Sequence, residues 1–440
     1  MTKLSIEGYG DALTINGRCI SDMSIHEHQA IEKKLGANNY QPLNDVLVKA
    51  AESASTLLCR ININDQEVIA PILDALSCYS AVNQGQLNQT VVDALVAHLQ
   101  EVRIPTVPRS IRHQYMAPFL MAATSFCQMD RVVPKVTGVE AWELTLKLSR
   151  LWGHLVKGIP ENQSIVVGAE NNFHGRSLAA VSFSSSPSAR FHFGPYLPGI
   201  HLVPFNDVEA LDEFFQKHHA SICAYIAEPI QGEGGVIIPD DDYWPKVRDL
   251  CDKYHILLVL DEVQTGYGRT GQAFAHQHYG IKPDLMACGK AAGAGIVPLS
   301  YVAGRSDIIS LLKPGTEGST FGGYPLACVV GVYAIKALLD GGLIQKAQVL
   351  GDALLKRLQK IQAKHPDKIQ SVRGKGLLIA VEFYKTEALD GCLISQALLS
   401  KGIYAKETQQ YTIRFAPALS VSEADINAIA LALEDVLGSL

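Results

Sequence analysis

Apolar residues fall into two spacings along the middle of the chain. Short continuous runs at 164–168, 200–203, 222–227, 256–260, 285–288 and 300–303 read as buried strands. Between several of them the spacing turns helical, as over 208–217 and 243–253. Strands that are apolar throughout and separated by helices predict a mostly parallel sheet covered on both faces. Beyond about residue 325 the texture changes. Helical spacing covers 326–339 and 344–364, and an apolar run follows at 376–383. Next come a helical stretch near 390–400, a short run at 412–415 and a last helix over 422–437. Ser422 with Asp425 suits the start of that helix. This predicts a smaller α+β domain over 326–440 beside a large domain over 61–325. Residues 1–60 carry a weaker pattern and are expected to pack with the small domain.

Composition narrows the function classes. The 440 residues are 48% hydrophobic and 19% charged, with a formal net charge of −6. No basic block is present for nucleic acid or an anionic membrane, so small-molecule partners are expected. No apolar run approaches the roughly 20 residues needed to span a bilayer. The first residues lack the apolar core of a signal peptide and the Arg-rich character of a transit peptide, which favours a cytoplasmic setting. The nine cysteines are widely spaced without a C-x-x-C pair, as expected of reduced thiols and not of a disulfide framework or a metal site.

Ligands of open α/β sheets collect at the carboxyl ends of strands, so the residues there are the candidates. Lys290 follows the run at 285–288 within Gly289-Lys-Ala-Ala-Gly-Ala-Gly295. Desolvation would make it a nucleophile, though a surface loop lysine reads the same. Asp261 ends the most apolar run and could keep a pyridinium nitrogen protonated, with Gln264 three residues on to donate to a ring oxygen. The rival reading is the acidic strand end of an ATPase. It fails on the only candidate phosphate loop, which has Asp284 in place of glycine and Ala291 in place of serine or threonine. Thr137-Gly-Val-Glu140 opens a helical pattern and could cup a phosphate, although most such glycines bind nothing. In Asn171-Asn-Phe-His-Gly-Arg176, Phe173 could stack on a planar ring and Arg176 could grip a carboxylate; a plain turn is the alternative. Glu317-Gly-Ser-Thr-Phe-Gly-Gly323 suits a second phosphate contact or an ordinary turn.

In order and spacing these groups resemble the class III aminotransferases of PLP fold type I, and within them the branch that acts on ornithine. The resemblance runs from about residue 38 onward. Its most specific stretches are Leu76-Ser-Cys-Tyr-Ser-Ala-Val-Asn-Gln-Gly85, Ala227-Glu-Pro-Ile-Gln-Gly-Glu233, Asp261-Glu-Val-Gln-Thr-Gly266, 315–323, Val372-Arg-Gly-Lys-Gly-Leu377 and Ile413-Arg-Phe-Ala-Pro417. It implies a large domain with a mostly parallel seven-stranded sheet and pyridoxal 5′-phosphate linked to Lys290. It further implies that Asp261 holds the pyridinium, Gln264 contacts the 3-oxygen and Phe173 stacks on the ring. Gly138 and Val139 would bind the phosphate through backbone N–H groups. Ser319 and Thr320 would reach the phosphate of the neighbouring subunit in a homodimer with shared sites. For the substrates, Tyr40 and Arg176 match the groups that hold the α-amino and α-carboxylate ends of ornithine, and Tyr79 matches an aromatic that shapes the pocket. Glu233 and Arg414 match a switchable ion pair. The implied reaction moves the δ-amino group of ornithine to 2-oxoglutarate. Other amine donors (acetylornithine, lysine, putrescine, 4-aminobutyrate), an amino-acid racemase and a non-catalytic protein of the same fold are the competing readings. The chain departs from the family's usual pattern at 86–89, at 60–69 and in the loop after Lys290. His174 and Ser177 stand where close relatives often have Trp and Thr.

Overall fold

A computed structural model describes residues 5–37, 39, 46–63 and 66–440. At its centre lies a seven-stranded sheet. Its order is Arg131–Lys135, Ser300–Gly304, Leu285–Cys288, Leu257–Asp261, Ile222–Ala227, Ile165–Ala169, Ile200–Val203. The last five strands pair in parallel. Ser300–Gly304 runs antiparallel to both of its neighbours. The connection from Cys288 to Ser300 holds only a short 3-10 turn, Lys290–Gly293. With no helix to carry the chain back across the sheet, the next strand must return in the opposite direction. Arg131–Lys135 escaped the hydrophobic pattern because it carries two charges and Pro134. It lies at the sheet edge, where proline is tolerated.

Helices cover both faces. Gly138–Leu155 buries Ala141, Trp142, Leu144, Thr145, Leu148 and Trp152, a stripe at helical spacing that packs on the sheet. Its start is fixed by a capping box: Thr137 Oγ1 accepts from the Glu140 N–H at 3.3 Å, and the Glu140 carboxylate accepts from the Thr137 N–H at 2.8 Å. Val208–His218 and Tyr243–Lys253 lie close to their expected bounds. Among the described residues no single helix is long and apolar enough to cross a membrane.

The C-terminal part holds helices Leu343–Lys364, Gly391–Ser400 and Glu423–Ser439 against a four-stranded antiparallel sheet. The last helix is capped by Ser422 and Asp425. A second four-stranded sheet joins Ile403–Tyr404 to Gln66–Asp74, Thr56–Ile63 and Val46–Ala51. Residues 61–63 and 66–74 of the expected large domain thus share a sheet with the C-terminal part. Arg269 binds the pieces together. Its buried guanidinium donates to the carbonyls of Leu377 and Pro417 at 2.8 and 2.6 Å, to Ser77 Oγ at 2.8 Å and to Asn83 Oδ1 at 2.6 Å.

Candidate active site

The parallel strands end on one edge, and their first following residues meet in a cavity of about 200 Å³. Asp261 is the last residue of its strand, in register with Ala287. Lys290 lies three residues beyond Ala287 and lines the same cavity. Its backbone is left-handed at φ 46°. No hydrogen-bond acceptor among the described residues takes its amine. Burial, reinforced by the Arg414 charge, pulls the amine down to about 8. At that value roughly a tenth of the amine is neutral at pH 7, far more than for an ordinary lysine, and that fraction is nucleophilic.

Asp261 is 5% exposed. Its Oδ1 accepts from the Val263 N–H at 3.1 Å and its Oδ2 from His174 Nδ1 at 2.7 Å. Each oxygen keeps a lone pair beyond these bonds, and Asp261 lines the cavity. Gln264 and Gly232 are fitted to each other: a Cβ on Gly232 would lie 2.2 Å from Gln264 Oε1. Gln264 Nε2 is buried without a partner, a donor waiting for an acceptor. At the start of Gly138–Leu155, Thr137 takes the N–H groups of Glu140 and Ala141. Those of Gly138 and Val139 come too early in the helix for an internal partner and remain available for an anion. A Cβ at Gly138 would strike Val263 Cγ1 at 2.8 Å, so only glycine lets the two loops close up. Phe173 lines the cavity with 37% of its surface still open. Its position is set by Glu228, whose Oε2 accepts from the Phe173 N–H at 2.9 Å and whose Oε1 accepts from the Gly232 N–H at 3.0 Å. Burial pushes the Glu228 carboxyl up to about 7, against the opposing pull of His174.

On the substrate side, Arg414 is 1% exposed with its guanidinium 5.4 Å from the Tyr79 ring centre. It donates to Glu233 Oε2 at 3.2 Å, and its Nε and Nη2 are buried without partners. The Glu233 side chain is 45% exposed. Arg176 is exposed, 5.4 Å from the Phe173 ring centre. Tyr40 lies outside the described residues. Ser319 and Thr320 are not among the residues lining this cavity. They follow Glu317, which is clasped by Lys135 and Lys147, on a loop ahead of helix Pro325–Asp340.

Sequence reasoning did not assign roles to His174 or Glu228. Glu228 directly follows the strand Ile222–Ala227, so the rule that singled out Asp261 also points to it. His174 gave only the signal of an unusual residue beside Phe173.

These donors and acceptors fit pyridoxal phosphate. Lys290 offers an amine for its aldehyde and Asp261 an acceptor for its ring nitrogen. Gln264 Nε2 offers a donor for its phenolic oxygen, and the free helix N–H groups suit its phosphate. The model of the aminotransferase class-III family matches residues 59–437. The chain belongs to the class-III aminotransferases. An ornithine aminotransferase of Emericella nidulans is 41% identical over 413 residues, which cover 92% of this chain and 88% of that protein. Among solved structures, the ornithine aminotransferase from Toxoplasma gondii superposes with a TM-score of 0.88 at 33% identity, covering 95% of this aminotransferase and 96% of that chain. A second structure of the Toxoplasma gondii enzyme has a TM-score of 0.87 at 33% identity and covers 94% and 95% of the two chains. It holds PLP at partial occupancy in its active site. The aminotransferase shares their architecture, a mixed seven-stranded sheet covered by helices beside a smaller α+β part.

Proposed function

We propose that this aminotransferase moves the δ-amino group of ornithine to 2-oxoglutarate, giving glutamate 5-semialdehyde and glutamate. Pyridoxal phosphate is its cofactor. When bound, it supplies an electron sink for the charge left on the amine-bearing carbon as that carbon loses its proton. Lys290 anchors the cofactor and then, as a free amine, carries that proton. Asp261 accepts the ring N–H, Gln264 donates to the ring oxygen, and Phe173 covers one ring face. Gly138 and Val139 hold the phosphate through their N–H groups.

The Arg414–Glu233 pair carries the substrate assignment. A buried guanidinium with two unpartnered nitrogens calls for an anion, while the chain of ornithine that faces the cofactor is cationic. Glu233 neutralises Arg414 while ornithine is bound, with Tyr40 and Arg176 on its α-amino and α-carboxylate ends. When 2-oxoglutarate enters, Glu233 turns out to solvent and Arg414 takes the α-carboxylate, with Arg176 on the γ-carboxylate. Removing Glu233 would leave the buried Arg414 charge without its partner, so Glu233 has a function beyond packing. The relatives named for ornithine support the same reading. Ser319 and Thr320 are not among the residues that line their own cavity, which suits a homodimer in which they serve the neighbouring site.

The test is to follow the two half-reactions separately in Glu233→Ala. The ornithine half-reaction should fall roughly 10- to 100-fold in kcat/KM, the cost of one lost charged hydrogen bond. The 2-oxoglutarate half-reaction should hold or improve. Equal loss in both would contradict the assigned role.

A further inference from the structure

Glu233 sits in Gly232-Glu-Gly-Gly235, where three of the four residues are glycine. Such a backbone has many conformations open to it and fixes nothing by itself. Yet its carboxylate has a task that depends on place, since Oε2 accepts from Arg414 Nη1 at 3.2 Å. The backbone is held from outside. Thr408 Oγ1 donates to the Glu233 carbonyl at 2.6 Å, and Gln409 Nε2 donates to the same oxygen at 3.1 Å. Further along, Arg373 Nη2 donates to the Gly235 carbonyl at 2.7 Å and its Nε to the Val236 carbonyl at 3.1 Å.

The contact from Thr408 differs from the others. Thr408 is 3% exposed, whereas Gln409 lies in solvent. Thr408 also belongs to the hairpin that carries Arg414. Lys406–Thr408 runs antiparallel to Thr412–Phe415, with Lys406 opposite Arg414 and Thr408 opposite Thr412. The Arg414 strand is paired on its other side with Leu378–Phe383, and the turn between the two arms is pinned by the Gly391 N–H, which donates to the Gln410 carbonyl at 2.7 Å. Both members of the ion pair are thereby referred to one hairpin, the guanidinium directly and the carboxylate through a single buried hydroxyl. The restraint stops at the backbone, because the Glu233 side chain is 45% exposed.

We infer that Thr408 is a positioning residue for substrate choice. Its hydroxyl fixes the Glu233 backbone against the Arg414 hairpin, so the carboxylate stands beside the guanidinium while the cationic donor is bound. Without that hold, a glycine-flanked residue would have to be ordered anew each time the pair forms, a cost that falls on the donor stage alone. The acceptor stage does not use the pair, so Thr408 has no part in it. This rests on the reading of Glu233 as the group that neutralises Arg414 while ornithine is bound.

The test compares Thr408→Val, which keeps the shape of the side chain and removes the hydroxyl, with Thr408→Ser, which keeps the hydroxyl. Each is made in the holoenzyme, and Thr408→Val is also combined with Glu233→Ala. The ornithine and 2-oxoglutarate half-reactions are followed separately through the absorbance of the cofactor. Thr408→Val should lower kcat/KM of the ornithine half-reaction about three- to tenfold, the range of one lost hydrogen bond, and leave the 2-oxoglutarate half-reaction within about twofold. Thr408→Ser should stay within about twofold of the wild type in both. Added to Glu233→Ala, Thr408→Val should change the ornithine half-reaction by less than about twofold, because the group it positions is gone. The inference is overturned if Thr408→Val matches the wild type, or if Thr408→Ser loses as much as Thr408→Val. It is equally overturned if both half-reactions fall alike, which would reduce the role to packing, or if the full loss persists on top of Glu233→Ala. Should Glu233→Ala alone lower both half-reactions equally, the reading of the ion pair fails, and not only the hold on it.

Discussion

Lys290 follows a buried strand by two residues, with a left-handed backbone and an amine drawn down to about 8 by burial and the Arg414 charge. The unfolded chain holds its lysine proton up to the ordinary value near 10.5. Between those two points the unfolded state binds more protons, so the stability of the cofactor-free protein rises with pH across that window. Below it, the charged amine costs the fold about 3 kcal/mol. Lys290→Met should therefore stabilise the cofactor-free protein by up to that amount near pH 7. The gain should vanish by about pH 10.5, as read from denaturant midpoints across pH. A variant less stable at pH 7 would count against the burial. Lys290 and Asp261 were legible from sequence because each stands at a strand end, where chemistry collects. His174 was not: its partner Asp261 is 87 residues away, and a histidine after a phenylalanine shows nothing of where its Nδ1 will point.

The turn Ser77–Ser80 brings Tyr79 to the Arg414 guanidinium. All four of its residues are left-handed, with φ of 45°, 48°, 57° and 72°. Each costs roughly 1–2 kcal/mol against the right-handed form. The turn is held by Asp74 Oδ1, which accepts from the N–H groups of Leu76 and Ser77 at 3.0 and 2.9 Å, and by Ser77 Oγ donating to the Ala416 carbonyl at 2.7 Å. Strain of this kind persists at sites where it places a functional group. Cys78 is exposed, so Cys78→Gly relieves the backbone with little loss of packing. It should stabilise the fold by roughly 0.5–1 kcal/mol after the added freedom of the unfolded chain is counted. It should also lower kcat/KM a few-fold as Tyr79 loosens. A destabilised variant in chemical denaturation would argue that the turn is not strained. Nothing in Leu76-Ser-Cys-Tyr-Ser80 announces a left-handed turn, since it contains no glycine or asparagine. The helices read over 208–217, 243–253 and 344–364, by contrast, were legible almost to the residue, because their stripes are long, whereas Ile25–Leu35, Gln89–Ala97 and Met116–Cys127 were not read. The strands Val46–Ala51, Thr56–Ile63 and Gln66–Asp74 were not legible, because the first is mostly exposed and the last pairs with a segment more than 300 residues later.

At the scale of the whole molecule, the site is assembled from strand ends of the large sheet and from one strand of the small part. Arg414 lies on Thr412–Phe415, between the strands Leu378–Phe383 and Lys406–Thr408. Arg269, just beyond Asp261 and Gln264, grips the carbonyls of Leu377 and Pro417 on that side and Ser77 and Asn83 on the other. The cofactor half and the substrate half are thereby held in one frame. The sequence showed both halves through separate short stretches, and their convergence became visible only in three dimensions. In the proposed function, the ion pair of Arg414 and Glu233 decides which amine the frame accepts. A panel of amines offered with 2-oxoglutarate tests this most directly. Ornithine should give glutamate and a trapped semialdehyde at a kcat/KM well above acetylornithine, putrescine, lysine and 4-aminobutyrate. Efficient turnover of 4-aminobutyrate or putrescine with none of ornithine would contradict the account.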